Sequence, residues 1–188
     1  MASRHPVICS YEVDAQFRLV QVDEAWAKFA IENAAPELAQ PVGVPDRTLF
    51  SYIADDTTRQ VYRAMFDRVR AEGRPITVPL RCDAPRLRRF LELTIAPRGG
   101  GGFLLESALV RSEPRPYLAL LDAARRRTQE LIRMCGWCKA VDADGRWVEP
   151  ERGVQLLNLF ERDALPEITH GMCEACYERL SEAYPEPA

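Results

Sequence analysis

Two Cys-x-x-Cys pairs, Cys135-Gly-Trp-Cys138 and Cys173-Glu-Ala-Cys176, stand 34 residues apart and constrain this chain more than any other feature. Each x-x turn aims two sulfurs at one point. Two such turns facing each other make a tetrahedral sulfur cage. Such a cage suits Zn²⁺, a borderline-soft ion that imposes little geometry of its own. The gap is wider than the roughly 15–20 residues of the commonest ribbon spacing, so a hairpin and a short helix are expected inside it. His170 lies three positions before the second pair. It is a candidate to replace one cysteine, to donate a hydrogen bond to a thiolate from outside the ligand set, or simply to pack near Trp137. Cys135, Cys138, Cys173 and Cys176 with His170 nearby is the favoured arrangement. A closed four-ligand set leaves no position for a reacting water, which points to a structural site.

The other totals bound the context. No run approaches the roughly 18–20 apolar residues of a membrane span. The first ten residues lack the apolar stretch of a signal peptide. A cytoplasmic protein without membrane contact is expected, and reduced thiols there favour a metal over disulfides. Cys9 and Cys82 lie far from the cluster and read as small buried hydrophobes. With 25 Lys and Arg against 28 Asp and Glu, the net charge of −3 argues against a general nucleic-acid binder.

Read in order, Tyr11–Val22 is a pair of short strands turning at Asp14-Ala-Gln16. Asp23 then caps a helix carrying Trp26, Phe29 and Ala30. Leu49, Phe50 and Ile53 suggest one helical turn. Asp55 and Asp56 cap a longer helix with Val61, Tyr62, Met65, Phe66 and Val69 on one face, ended by Gly73. Three alternating runs follow, around Ile76–Cys82, Phe90–Ile95 and Phe103–Leu109. The four glycines Gly99–Gly102 read as a hairpin loop. Pro114 and Pro116 break the pattern. Beyond them, Tyr117, Leu121, Ala124, Thr128 and Leu131 recur at spacings of four and three. That predicts a connecting helix over residues 113–134, either a dimer seam or a helix lying on the first unit. Arg125-Arg126-Arg127 reads as its solvated face.

The element order, together with Trp26, Arg81-Cys82-Asp83 and Arg88-Arg89-Phe90, resembles PAS-type sensor modules of bacterial signalling proteins over about residues 10–112. The resemblance implies an α+β unit at residues 1–112, with a five-stranded antiparallel sheet, helices on one face and often a ligand pocket between them. Trp26, Phe29, Phe50, Ile53, Tyr62 and Phe66 are the expected lining. Met134–Lys139, Asp144-Gly-Arg-Trp147 and Thr169–Cys176 resemble a second module, found at the end of bacterial PAS and related proteins. That module reads Cys-x-Trp-Cys-Lys, Gly-x-Trp and Ser-His-Gly-x-Cys-Pro-x-Cys. Here Thr169 replaces the Ser, and Glu174-Ala175 replaces the Pro-x pair. The resemblance covers about residues 131–180 and implies a sensory-transduction setting and no activity; the small Zn²⁺-binding unit is placed at residues 135–188.

Several chemistries are set aside. Lys139 follows the first pair where a c-type haem needs His. No cysteine lies between Cys9 and Cys82 to serve a flavin adduct. No phosphate loop or catalytic triad is present. The expectation is a cytoplasmic sensory protein, not an enzyme, acting through a protein partner or as a homodimer, with an unknown small-molecule signal. Two alternatives stand beside it: a redox sensor built on the thiolate–zinc site, and a zinc-ribbon regulator binding nucleic acid through Arg125–Arg127.

Overall fold

The computed structural model describes residues 5–32, 39–40 and 47–185. Its first half is a five-stranded antiparallel sheet of order β2-β1-β5-β4-β3, built from β1 (Val7–Val13), β2 (Leu19–Val22), β3 (Ile76–Arg81), β4 (Leu87–Pro97) and β5 (Phe103–Pro114). Helices α1 (Glu24–Glu32) and α2 (Asp56–Glu72) lie between β2 and β3 in sequence. Helix α2 begins where the sequence says it should. The Asp55 carboxylate accepts from the Thr58 N–H at 2.7 Å, and Gly73 closes the helix in the left-handed region at φ 63°. Its inward face, Val61, Met65, Phe66 and Val69, meets Val13, Val78, Leu93, Ile95, Phe103 and Leu105 of the sheet.

The glycine loop is tighter than a slack hairpin. A Cβ on Gly102 would fall 2.5 Å from the Val13 carbonyl oxygen. Only glycine lets β5 start this close to the end of β1.

The connecting helix expected over residues 113–134 is absent. Strand β5 runs to Pro114, a single 3-10 turn covers Ala119–Leu121, and Arg127–Cys135 is strand β6. The apparent seam misleads because its members do not share a face. Leu131 is 71% exposed, whereas Ile132 and Met134 are buried on either side of exposed Arg133. That alternation is the period of a strand. Arg127 is a clamp, its guanidinium donating to the carbonyls of Pro166, Leu120 and Asp122.

Strand β6 is central in a second sheet of order β8-β7-β6-β9, with β7 (Val141–Ala143), β8 (Arg146–Val148) and β9 (Leu165–Gly171). Strands β6 and β9 run parallel, so a crossover must join them. The β7–β8 hairpin and helix α3 (Pro150–Leu156) supply it. Pro166 is accommodated in β9 because β9 is an edge strand, where a missing N–H is tolerated. Helix α4 (Glu174–Ala183) follows directly. Leu118, Leu120, Ile132, Met134, Val141, Leu159 and Leu165 form one small core. Cys135, Trp137, Cys173, Cys176 and Leu180 belong instead to the core of the first sheet. Among the described residues, no helix is long and apolar enough to cross a membrane.

Candidate metal centre

Parallel strands deliver both knuckles to the same end of the second sheet. Strand β6 ends at Cys135, in register with Gly171 at the end of β9. The first knuckle folds back on itself. Cys135 N–H donates to the Ala140 carbonyl at 2.7 Å, and Lys139 N–H to the Cys135 carbonyl at 3.0 Å. Lys139 takes φ 65° to close the turn, and its ammonium donates to the Gly136 carbonyl at 2.8 Å. Gly136 N–H donates to the Gly171 carbonyl at 2.8 Å and ties the knuckles together.

In the second knuckle, Cys173 is the N-cap residue of α4 and Cys176 lies in its first turn. The positive end of the helix therefore faces sulfurs that would carry negative charge as metal ligands.

The four sulfurs lie within 4.8 Å of one another, and Cys138 Sγ is 3.7 Å from Cys173 Sγ. A tetrahedral ion with metal–sulfur bonds of about 2.3 Å would set its sulfurs about 3.8 Å apart. All six cysteines are free thiols, so no disulfide competes for this set. Cys135, Cys173 and Cys176 are buried, and Cys138 is partly exposed. The Cys173 N–H points at Cys135 Sγ at 3.5 Å. The Arg179 guanidinium stands 3.7 Å from Cys176 Sγ. Without a metal, Cys135, Cys138 and Cys176 differ in acidity. Cys135 is held far below the usual thiol range because Cys138 and Cys176 donate to it. Donating in this way pushes Cys138 up to about 11 and raises Cys176 as well. The donor set fits a thiolate-preferring ion of Zn²⁺ type.

His170 lies on β9 as an exposed residue, and the converging ligand atoms are all sulfur. The residues expected to line a pocket are placed differently from one another. Phe66 has no exposed surface and touches the rings of Phe17, Phe50, Tyr62 and Phe103. Phe50 also meets Phe17 edge-on at 5.0 Å. Ile53 packs on the same core. Trp26 and Tyr62 are partly exposed, Trp26 meeting Tyr11 edge-on at 4.9 Å. The Phe29 side chain is outside the described residues.

Two features escaped the sequence. One is Trp137, whose backbone and indole both bind β3. The other is a buried ion cluster joining the first sheet to the start of α3. Arg115, 1% exposed at its side chain, pairs with fully buried Asp83 at 2.8 Å and with Glu151 at 2.6 Å. Arg81 adds Asp83 at 2.5 Å and Glu149 at 2.7 Å, and Arg88 reaches Glu151 at 2.5 Å. A charge at the start of α3 opposite an Arg-rich strand end was the available signal, visible only once the crossover is known.

No family model and no curated protein matches this chain.

Proposed function

We propose that this chain is a non-enzymatic sensory or regulatory protein of the cytoplasm. In this reading a PAS-like unit takes the signal, and a structural Zn²⁺ module holds the surface that engages a protein partner or a second copy. The observation that carries it is the closed set of four free thiols within 4.8 Å of one another. Such a set stabilises a fold and leaves no site for a substrate at the metal. The sensor reading draws support from the order of elements: two strands, short helices, a longer helix, then three antiparallel strands. Trp26, Phe50, Ile53 and Tyr62 are partly exposed members of the proposed signal-binding lining. With no connecting helix, the signal would pass by direct contact between the units.

Native mass spectrometry of the purified chain tests both halves at once. One zinc per chain is expected, together with a retained small molecule or a dimer. Cys135→Ser and Cys176→Ser are each expected to lose the metal and several kcal/mol of stability, since the binding energy of a structural zinc is folding energy. A metal-free protein of unchanged stability would sink the reading. The redox alternative is favoured by the partial exposure of Cys138, which gives an oxidant a way in. Two thiolates would pass two electrons to a peroxide, forming a disulfide and water and releasing the zinc. The same spectra along a peroxide series decide it: zinc retained at doses that oxidise a free thiol excludes it.

A further inference from the structure

We infer that the state of the metal site is read directly by the first sheet, through Trp137. This rests on the four cysteines holding a metal. Strand β3 is an edge of its sheet, and an edge presents backbone groups in need of partners. Trp137 supplies two of them. Its carbonyl accepts from the Arg81 N–H at 2.8 Å, and its indole N–H donates to the Pro79 carbonyl at 2.7 Å. Pro79 has no N–H, so this part of the edge offers one donor and one acceptor, and a single residue completes it as a short strand would. The same indole meets the ring of Tyr62 on α2 edge-on at 5.6 Å, and Tyr62 in turn touches Phe66 at the centre of the core. Trp137 is 3% exposed.

Trp137 sits between Cys135 and Cys138, so the turn that carries it is the chelate turn itself. Four sulfur bonds to one ion would fix both ends of that turn. Without them the turn regains conformational freedom, and hydrogen bonds as directional as those to Arg81 and Pro79 weaken first. Linkage makes the effect reciprocal. Whatever shifts Tyr62 or the β3 edge changes metal affinity by the same factor. The metal knuckle is then part of the wall of the sensing unit.

Hydrogen exchange of the full chain, zinc-loaded and then stripped with a chelator, tests this. Metal content is followed by mass in the same samples. On stripping, the Arg81 amide and its neighbours in β3 are expected to exchange on the order of tenfold faster or more, a clearly larger change than in the β1–β2 hairpin. Metal lost with β3 exchange unchanged overturns the coupling alone. Protein that never carries metal overturns the reading of the site, and the coupling with it. Trp137→Phe keeps an aromatic ring and all four cysteines but lacks the N–H. It is expected to hold one zinc while its β3 exchange responds much less to stripping. A full response in that variant removes Trp137 from the path. Tyr62→Leu provides the matching measurement on α2, where the exchange response should fall and β3 should keep its own.

Discussion

Tyr11, Tyr62 and Cys9 are acids that the fold keeps protonated. Burial pushes Tyr62 up to about 12 and Cys9 up to about 12, with Asp23 and Cys82 adding to it. Burial, then Tyr62 and Cys9, raise Tyr11 well above the ordinary phenol range. A raised acid holds its proton in the folded state after the unfolded chain has lost it. Stability from these groups is complete below the unfolded values of 9.0 for the thiol and 10.0 for the phenols, and is lost as pH climbs towards the folded ones. Urea midpoints between pH 8 and 11.5 are therefore expected to fall with pH. The slope should be at most roughly 1.4 kcal/mol per pH unit for each phenol in its window. Tyr62→Phe should flatten the decline above pH 10, and an unchanged slope would show that its hydroxyl is well solvated. At this scale the sequence was informative where chemistry repeats. The four sulfurs announce themselves by spacing. Trp137 was legible only as a core residue, because nothing local reveals that its partner is the edge of a strand 58 residues away.

Among the elements, α2 and the three strands after it were readable because caps and periodicity agree. Strand β6 was not. Its neighbourhood carries a helical spacing of apolar residues, and a parallel partner 30 or more residues away decides the contest for the strand. Strand β9 was hidden for a related reason, since Pro166 reads as a stop unless the strand lies at an edge. The ion cluster between the first sheet and α3 also has no local signature. Its two partners at Arg88 and Glu151 are 63 residues apart. Arg115→Met should cost about 2–3 kcal/mol in denaturant unfolding. That is somewhat under the 3–5 kcal/mol of a wholly abandoned buried charge, because Arg81 still faces Asp83. Arg162→Ala, which breaks an exposed pair with Glu130, should cost less than about 1 kcal/mol. Equal losses in the two variants would mean that the buried cluster is no more than a surface feature.

For the molecule as a whole, the division at residues 112 and 135 suggested by the prolines and the cysteines does not coincide with a division of the core. Cys135, Trp137, Cys173 and Cys176 share one hydrophobic cluster with Phe66, Phe103 and Leu105. The Arg81, Arg88 and Arg115 ion pairs bind the same two parts again. Heating is accordingly expected to give one transition, with circular dichroism and tryptophan fluorescence tracing the same curve. Stripping the metal should lower that single midpoint. Two separated transitions, only the lower one sensitive to a chelator, would show that the sheets unfold as independent units.

The parallel pairing of β6 and β9 also has a consequence in time. When a ribosome makes this chain, Cys135 and Cys138 emerge first and can offer an ion only half a cage. The hairpin, α3 and all of β9 must follow before Cys173 and Cys176 arrive, and β9 must then find β6 across that distance, a slow kind of contact to make. If the four cysteines hold an ion as proposed, one caught early would rest on two sulfurs and be easily lost. Firm capture would wait for the crossover to close, so a filled site would record that β9 has found β6.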